Sequence, residues 1–407
     1  MLAPQTIKKD FPIFESQPDL VYLDSAATAL KPKMVVDATN EYYFEYSANA
    51  ARGLYPLAEL ATTALENARK KIARFINATS DREIVFTANA THGINLVALG
   101  LEESIPPEAN IVVTDMEHHS NFLPWKELAR RSGAELRSAL FTEEGVVSES
   151  SLASLVDEKT VIVAFAAVSN VLGVQNRVTD LAAIIRDRNP NALILIDACQ
   201  AVGHFPVDME EWDADFIVFS GHKLFGPTGI GVLAGKKVSL EKLSEKNVGG
   251  GTVLDACSTM TRYKSLPENL EGGTPNIAGA IGLAAAIEYI ETLGLENIRQ
   301  HEIALMDFTL KRLREAFGEK IHILGTLDAE QRAGLVSFAL HSIHPHDLAQ
   351  ILGENGVCVR GGELCASPLH RALKLPATTR VSLSLYNREE DIEKLIAGIQ
   401  KALTLFG

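Results

Sequence analysis

The sequence predicts an α/β protein, with a large domain built on a mostly parallel sheet covered by helices and a smaller α+β domain beside it. Three observations carry this. Five short apolar runs, 83–86, 110–113, 160–166, 192–196 and 216–219, read as buried strands. Helical periods lie between them: Leu60, Leu65, Ala68, Ile72 and Phe75 recur at helical spacing, and so do Leu181, Ile184 and Ile185. Alternation of this kind puts helices on both faces of a parallel sheet. The third observation is a change of pattern after about Gly294, where the strands stop alternating regularly with helices.

Beyond that point a long helix is expected over 296–316, with Ile303, Leu305, Leu310 and Leu313 on its buried side. A strand follows at 334–339, then a helix from about Asp347, with His344 to Asp347 as its start because Pro345 and an acidic first turn favour that end. The closing helix, 390–405, keeps Ile392, Leu395, Ile396 and Ile399 on one face. The expected division is a large domain over 20–290 and a small domain made from 1–19 and 291–407.

At 407 residues, 46% hydrophobic and 22% charged, the chain is long enough for two domains or three. Its 52 acidic residues against 38 basic ones give a net charge of −14 without any dense Lys/Arg tract. Nucleic acid and anionic membrane surfaces are therefore poor partners. Nothing approaches the roughly 18 apolar residues of a membrane span. Residues 1–14 contain Lys8, Lys9 and Asp10 and no apolar h-region, so no secretory signal is expected and a cytoplasmic location is the default. None of the four cysteines, Cys199, Cys257, Cys358 and Cys365, forms a C-x-x-C pair, which argues against a zinc site and for free thiols.

The most informative stretch is Ile196-Asp197-Ala198-Cys199-Gln200 followed by Phe219-Ser220-Gly221-His222-Lys223. Each polar cluster sits just past the carboxyl end of an expected strand, where open α/β sheets place their ligands. Alone, Asp197 would read as a helix cap and Lys223 as a surface charge. Together with Ser220 and His222 they suit pyridoxal phosphate: the lysine forms the Schiff base, and the carboxylate keeps the pyridinium nitrogen protonated. Gly226-x-x-Gly229-x-Gly231 lacks the strand–turn–helix setting of a nucleotide loop and reads as a tight turn beside the lysine.

These residues make the chain resemble the class-V aminotransferase-fold enzymes, and within them the cysteine desulfurases of the SufS/CsdA group. The matching blocks run nearly end to end: Leu23-Asp24-Ser25-Ala26-Ala27, Gly93-Ile94-Asn95-Leu96-Val97, Met116-Glu117-His118-His119, Val168-Ser169-Asn170-Val171-Leu172-Gly173, Gly226-Pro227-Thr228-Gly229-Ile230-Gly231 and Glu271-Gly272-Gly273-Thr274-Pro275-Asn276. The resemblance implies the type I fold of the pyridoxal phosphate transferases and that cofactor on Lys223. It implies His118 stacked over the ring, Asn170 and Gln200 at the ring's phenolic oxygen, and a homodimer in which Thr274 reaches the partner's phosphate. Physical readings agree where they exist. Ala90-Thr91-His92-Gly93 opens a helix after a strand, so its free N–H groups and the Thr91 hydroxyl can cradle a phosphate, with Ser220 and His222 adding donors. An imidazole at His118 can both stack and move protons.

Arg380, in Thr379-Arg380-Val381-Ser382, matches the arginine that clamps the substrate carboxylate, a bidentate task suited to guanidinium. Arg360 is a second candidate for substrate binding. Cys365, in a polar and mobile loop, stands at the position of the desulfurase nucleophile. Cys199 and Cys358 read as packing, and Cys257 falls in a segment resembling the group's interface hairpin. The implied reaction takes L-cysteine in place of Lys223 on the cofactor, and Lys223 then moves the α-proton. The Cys365 thiolate takes the sulfur as a persulfide, alanine leaves, and an acceptor protein receives the sulfur, most often for iron–sulfur cluster assembly.

The sequence departs from the group at three places. Glu363-Leu364 stands where a His-His pair is common, and a carboxylate there disfavours the Cys365 thiolate unless a basic group such as Arg360 offsets it. Ala50-Ala51-Arg52-Gly53 lacks the group's histidine, and Asn89-Ala90-Thr91-His92 replaces Gly-Thr-Thr-Glu. The alternatives are a selenocysteine lyase or another class-V enzyme in which Cys365 is incidental, and a non-catalytic sulfur-transfer partner. Retention of Asp197, Lys223 and Arg380 argues against the last.

Overall fold

The computed structural model, which describes residues 4–51 and 53–406, builds a seven-stranded sheet from β1 (Ile84–Thr87), β2 (Asn110–Thr114), β3 (Glu135–Ala139), β4 (Thr160–Ala166), β5 (Leu193–Asp197), β6 (Phe216–Ser220) and β7 (Gly231–Gly235). The strand order is β1-β7-β6-β5-β4-β2-β3, parallel throughout except for β7. Every residue of β1, β2, β5, β6 and β7 is buried, which is why β1, β2, β5 and β6 read as continuous apolar runs rather than alternating ones.

The strand expected at 160–166 has those bounds, whereas the other four end one residue later than expected. Thr87, Thr114, Asp197 and Ser220 stay in the ladder after the apolar pattern has stopped; Asp197, for example, pairs with Val218. Two strands of this sheet were not foreseen. β3 is a largely polar edge strand, and β7 is bracketed by glycines that mask its pattern.

Helices α1 (Lys33–Glu45), α2 (Pro56–Phe75), α3 (Ala90–Leu101) and α4 (Ile277–Leu293) belong to this part of the chain. Leu65, Ala68 and Ile72 are buried in α2, but Leu60 is exposed. Five residues along a helix turn about 140° away, so Leu60 cannot share a face with Leu65.

A second sheet, β8 (Ile321–Ile323), β9 (Leu335–Leu340), β10 (Arg360–Gly362) and β11 (Thr378–Ser382), is antiparallel in the order β8-β9-β11-β10. Helices α5 (Leu295–Phe317), α6 (Pro345–Glu354) and α7 (Glu389–Phe406) accompany it. Its own core joins Leu305, Leu310 and Leu313 to Phe338, Val381, Leu395 and Ile399. The start of α6 is where the proline predicted it, with the His344 side chain capping the His346 N–H.

The chain's beginning ties the two sheets together. Val21–Tyr22 pairs in parallel with Val357–Cys358, and Asp24 bridges to Ser382 of β11. Phe11 packs edge-on against Phe225 and Tyr289 on one side and Tyr386 on the other. No single helix among the described residues is long and apolar enough to cross a membrane.

Candidate active site

The carboxyl ends of the central strands bring the predicted residues to one place. β5 ends on Asp197 and β6 on Ser220, after which the turn Gly221–Lys223 presents His222 and Lys223. On the other side of β6, α3 starts directly after β1. The Asn89 side chain caps it by accepting the His92 N–H at 2.9 Å, and Ser220 Oγ accepts the Ala90 N–H at 2.9 Å. Gly231 is required here: a Cβ on it would lie 2.5 Å from Asn89 Cα. Thr91 Oγ1 and Ser120 Oγ share a hydrogen bond at 2.7 Å.

A cavity of about 690 Å³ opens above these ends. It is lined by Thr91, His118, Asn170, Asp197, Gln200, Ser220, His222, Lys223, Arg360, Cys365 and Arg380. Of the predicted site residues only Thr274 is elsewhere, exposed on the loop that precedes α4.

Asp197 is buried, with Oδ1 accepting the Cys199 N–H at 2.9 Å. His118 Nδ1 accepts the Ser120 N–H at 3.1 Å, which leaves the proton of the neutral ring on Nε2. Burial, with the Lys223 ammonium beside it, pushes His118 down to about 4 against the opposing pull of Asp197. His222 is likewise pushed down to about 4, first by burial and then by Lys223 and Lys31. Both imidazoles are therefore neutral at pH 7 in the cofactor-free chain. Gln200 gives one amide hydrogen to the Ala26 carbonyl at 2.9 Å and Asn170 one to the Leu364 carbonyl at 2.8 Å, so each keeps a second donor. The Cys199 thiol is buried and pushed up to about 12, consistent with a packing role.

Arg380, in β11, is 3% exposed. Its Nη1 donates to the Asn170 carbonyl at 2.9 Å and its Nη2 to Asp24 Oδ1 at 3.4 Å, but its Nε is buried with no partner. Burial pulls this guanidinium down to about 10, and Asp24 is the main influence opposing that pull. An orphaned buried donor costs roughly 1–3 kcal/mol, which an incoming carboxylate would recover. Arg360 reaches the same Asp24, through Nη2 at 2.8 Å, from a half-exposed position. As it stands, it faces a protein carboxylate, and Asp24 is the residue whose part the sequence reading missed. An aspartate closing the apolar run Leu20–Leu23 was the available signal.

Cys365 is exposed, and its loop is tethered rather than the free segment that its composition suggested. The His119 N–H donates to the Cys365 carbonyl at 2.7 Å, Asn170 holds the Leu364 carbonyl, and the Ser367 N–H donates to His119 Nε2 at 3.1 Å. These bonds hold Leu364 and Cys365 at φ of +53° and +56°, a sparsely populated region for residues with side chains. Glu363 turns its carboxylate to the following helix, accepting from Ser367 Oγ at 2.5 Å. Arg360 and Arg380 both lie within electrostatic range of Cys365.

The chain matches the class-V aminotransferase family over residues 21–395. It is 44% identical to a probable cysteine desulfurase of Streptomyces coelicolor, over all of this chain and 99% of that one. It belongs to the cysteine desulfurase branch of that family. Two solved desulfurases share its shape. The apo enzyme of Thermococcus onnurineus NA1 has a TM-score of 0.94 at 38% identity, covering 99% of both chains. CsdA of Escherichia coli has a TM-score of 0.90 at 32% identity, covering 100% of both.

Desulfurases of this family carry pyridoxal 5′-phosphate, and the donor set here fits it. Asp197 offers a buried carboxylate to a ring nitrogen, the Ser220–Ala90 corner offers hydroxyl and helix N–H donors to a phosphate, and Lys223 offers the amine. The loop with Thr274 is pinned at both ends. Glu271 binds Arg69 at 2.7 Å and the Phe86 N–H at 2.6 Å, and Asn276 donates to the Gly229 carbonyl at 2.8 Å.

Proposed function

We propose that the chain converts L-cysteine to L-alanine and receives the sulfur on Cys365 as a persulfide. The observation that carries this reading is that a thiol, an amine and an unsatisfied guanidinium face one cavity: Cys365, Lys223 and Arg380. Pyridoxal phosphate, when bound, supplies an electron-accepting ring that makes the α-proton of an amino acid labile. Arg380 binds the substrate carboxylate through its free Nε edge. Lys223 Nζ takes the α-proton and returns it to carbon. His118, neutral with its proton on Nε2, covers the site and can pass that proton. The Cys365 thiolate attacks the substrate sulfur: the Sγ–S bond forms, the Cβ–S bond breaks, and protonation at Cβ yields alanine.

A protein acceptor then takes the terminal sulfur, which fits the exposure of Cys365 and a place in iron–sulfur cluster assembly in the cytoplasm. The working unit is a homodimer. In support, Tyr43, Phe44, Leu54, Tyr55, Leu57 and Leu60 on α1, α2 and the segment between them are exposed, Leu54 by 98%. Several large apolar side chains exposed along one stretch of chain support an interface there. Leu254 and Met260, on the hairpin of Val253–Ala256 and Thr261–Tyr263, are exposed as well. Thr274, exposed and not part of its own cavity's lining, is the residue that a partner's phosphate would meet. A large domain over 20–290 and a small one from 1–19 and 291–407 are supported by two separate apolar cores, although Ile7, Phe11 and Phe14 pack in the larger core and Val21 and Leu23 in the smaller. The test is incubation of the holoenzyme with L-cysteine and a reductant. Alanine and sulfide in equal amounts support the proposal, and alanine-free pyruvate or an exchanged amino group contradicts it.

A further inference from the structure

Glu117 is 0% exposed, and the chemistry above gives it no part. It stands between the end of β2 and His118. Its Oε1 accepts from Thr114 Oγ1 at 2.6 Å and from the Ala166 N–H at 3.1 Å, and its Oε2 accepts from Asn121 Nδ2 at 2.6 Å. Asn121 is fixed in turn, its Oδ1 accepting from Trp125 Nε1 at 3.0 Å. Ala166 is the last residue of β4, and it pairs across the sheet with Asp197. One carboxylate therefore bolts the turn that carries His118 to the strand end beside Asp197.

The hydrogen bond of His118 itself, from the Ser120 N–H, is internal to that turn and does not fix the turn against the sheet. The pocket around Glu117 is built for a carboxylate, because three donors converge on it. A glutamine there would set its NH2 group against at least one of them, leaving a donor facing a donor. Burial and the charge of Asp197 push this carboxyl up, and the hydrogen bonds from Thr114, Asn121 and Ala166, each of which favours the charged form, oppose them.

We propose that Glu117 is a positioning residue for the cofactor ring, setting where the His118 imidazole lies over the ring that Asp197 holds. The inference rests on the reading that the ring sits between His118 and Asp197. A ring packed asymmetrically against an imidazole acquires visible circular dichroism, which reports its placement without turnover.

The test compares that signal, per bound cofactor, in wild-type holoenzyme, Glu117→Gln, His118→Ala and the double variant, with a thermal melt of each. Glu117→Gln should retain cofactor yet lower the signal about twofold or more, in the direction of His118→Ala. The double variant should go no further than His118→Ala alone, because both act through one imidazole. A Glu117→Gln signal equal to wild type beside a changed His118→Ala overturns the role of Glu117, even if the melting temperature falls, and leaves the ring reading standing. An unchanged His118→Ala signal overturns the ring reading and this inference with it. Should Glu117→Gln fail to fold, Asn121→Ala removes only the Oε2 donor and is judged by the same outcomes.

Discussion

The N–H of His119 donates to the carbonyl of Cys365 at 2.7 Å, so the wall of the cavity directly holds the backbone of the proposed sulfur acceptor. The His119 side chain adds a second hold by accepting the Ser367 N–H. With Leu364 and Cys365 both at positive φ, the loop keeps its shape only while such contacts over-determine it. Loss of one hydrogen bond is worth about 1.4 kcal/mol, so His119→Ala should slow sulfide release about tenfold. Cofactor absorbance should not change, which spectra of the same preparation will show.

Arg380 supports a different prediction, on affinity. Arg380→Lys keeps a positive charge but removes the Nε edge that lies buried without a partner. A charge-assisted hydrogen bond contributes about 1.5–3 kcal/mol, so KM for L-cysteine should rise roughly 10- to 100-fold. Steady-state kinetics at saturating and limiting cysteine separate this from a loss of kcat.

The loop before Cys365 was expected to suppress the thiolate through Glu363. In the fold Glu363 is turned to Ser367, while the guanidiniums of Arg360 and Arg380, both bound to Asp24, lie within electrostatic range of the cysteine. Glu363→Gln should then change the rate of Cys365 alkylation by less than about twofold at fixed pH, while Arg360→Gln slows it several-fold. Mass spectrometry of iodoacetamide-treated protein over time measures both.

His118 and His222 predict an acid limit for the cofactor-free protein. Burial, with Lys223 nearby, pushes both down to about 4, so between pH 6.5 and 4 the unfolded chain binds protons that the folded chain refuses. Stability is therefore fully present above about 6.5 and falls with pH through that window. His118→Ala removes one such site and should lose less stability than wild type between pH 7 and 4.5, by about 1 kcal/mol or more in urea titrations.

The sequence made the strand ends and their cargo legible because Asp197, Ser220 and Lys223 follow fully buried apolar runs. It was silent on β3 and β7, whose polar edge and bracketing glycines carry no strand period. The cavity floor could be read in the same way. Its ties could not: the bonds from Asn170 to Leu364 and from Arg380 to Asp24 span 194 and 356 residues, and no local pattern encodes them. Glu117 lay unnoticed for a related reason, since a carboxylate beside a histidine pair reads as an exposed charge until its three donors are placed around it.

The central claim is that sulfur passes to Cys365, and a single turnover without reductant tests it most directly. Holoenzyme mixed with L-cysteine should yield one alanine per site, and the peptide containing Cys365 should gain one sulfur atom, about 32 Da. Cys365→Ala should bind cysteine and form neither product above background. A sulfur mapped to Cys257 or Cys358, or full alanine formation by Cys365→Ala, would contradict the account.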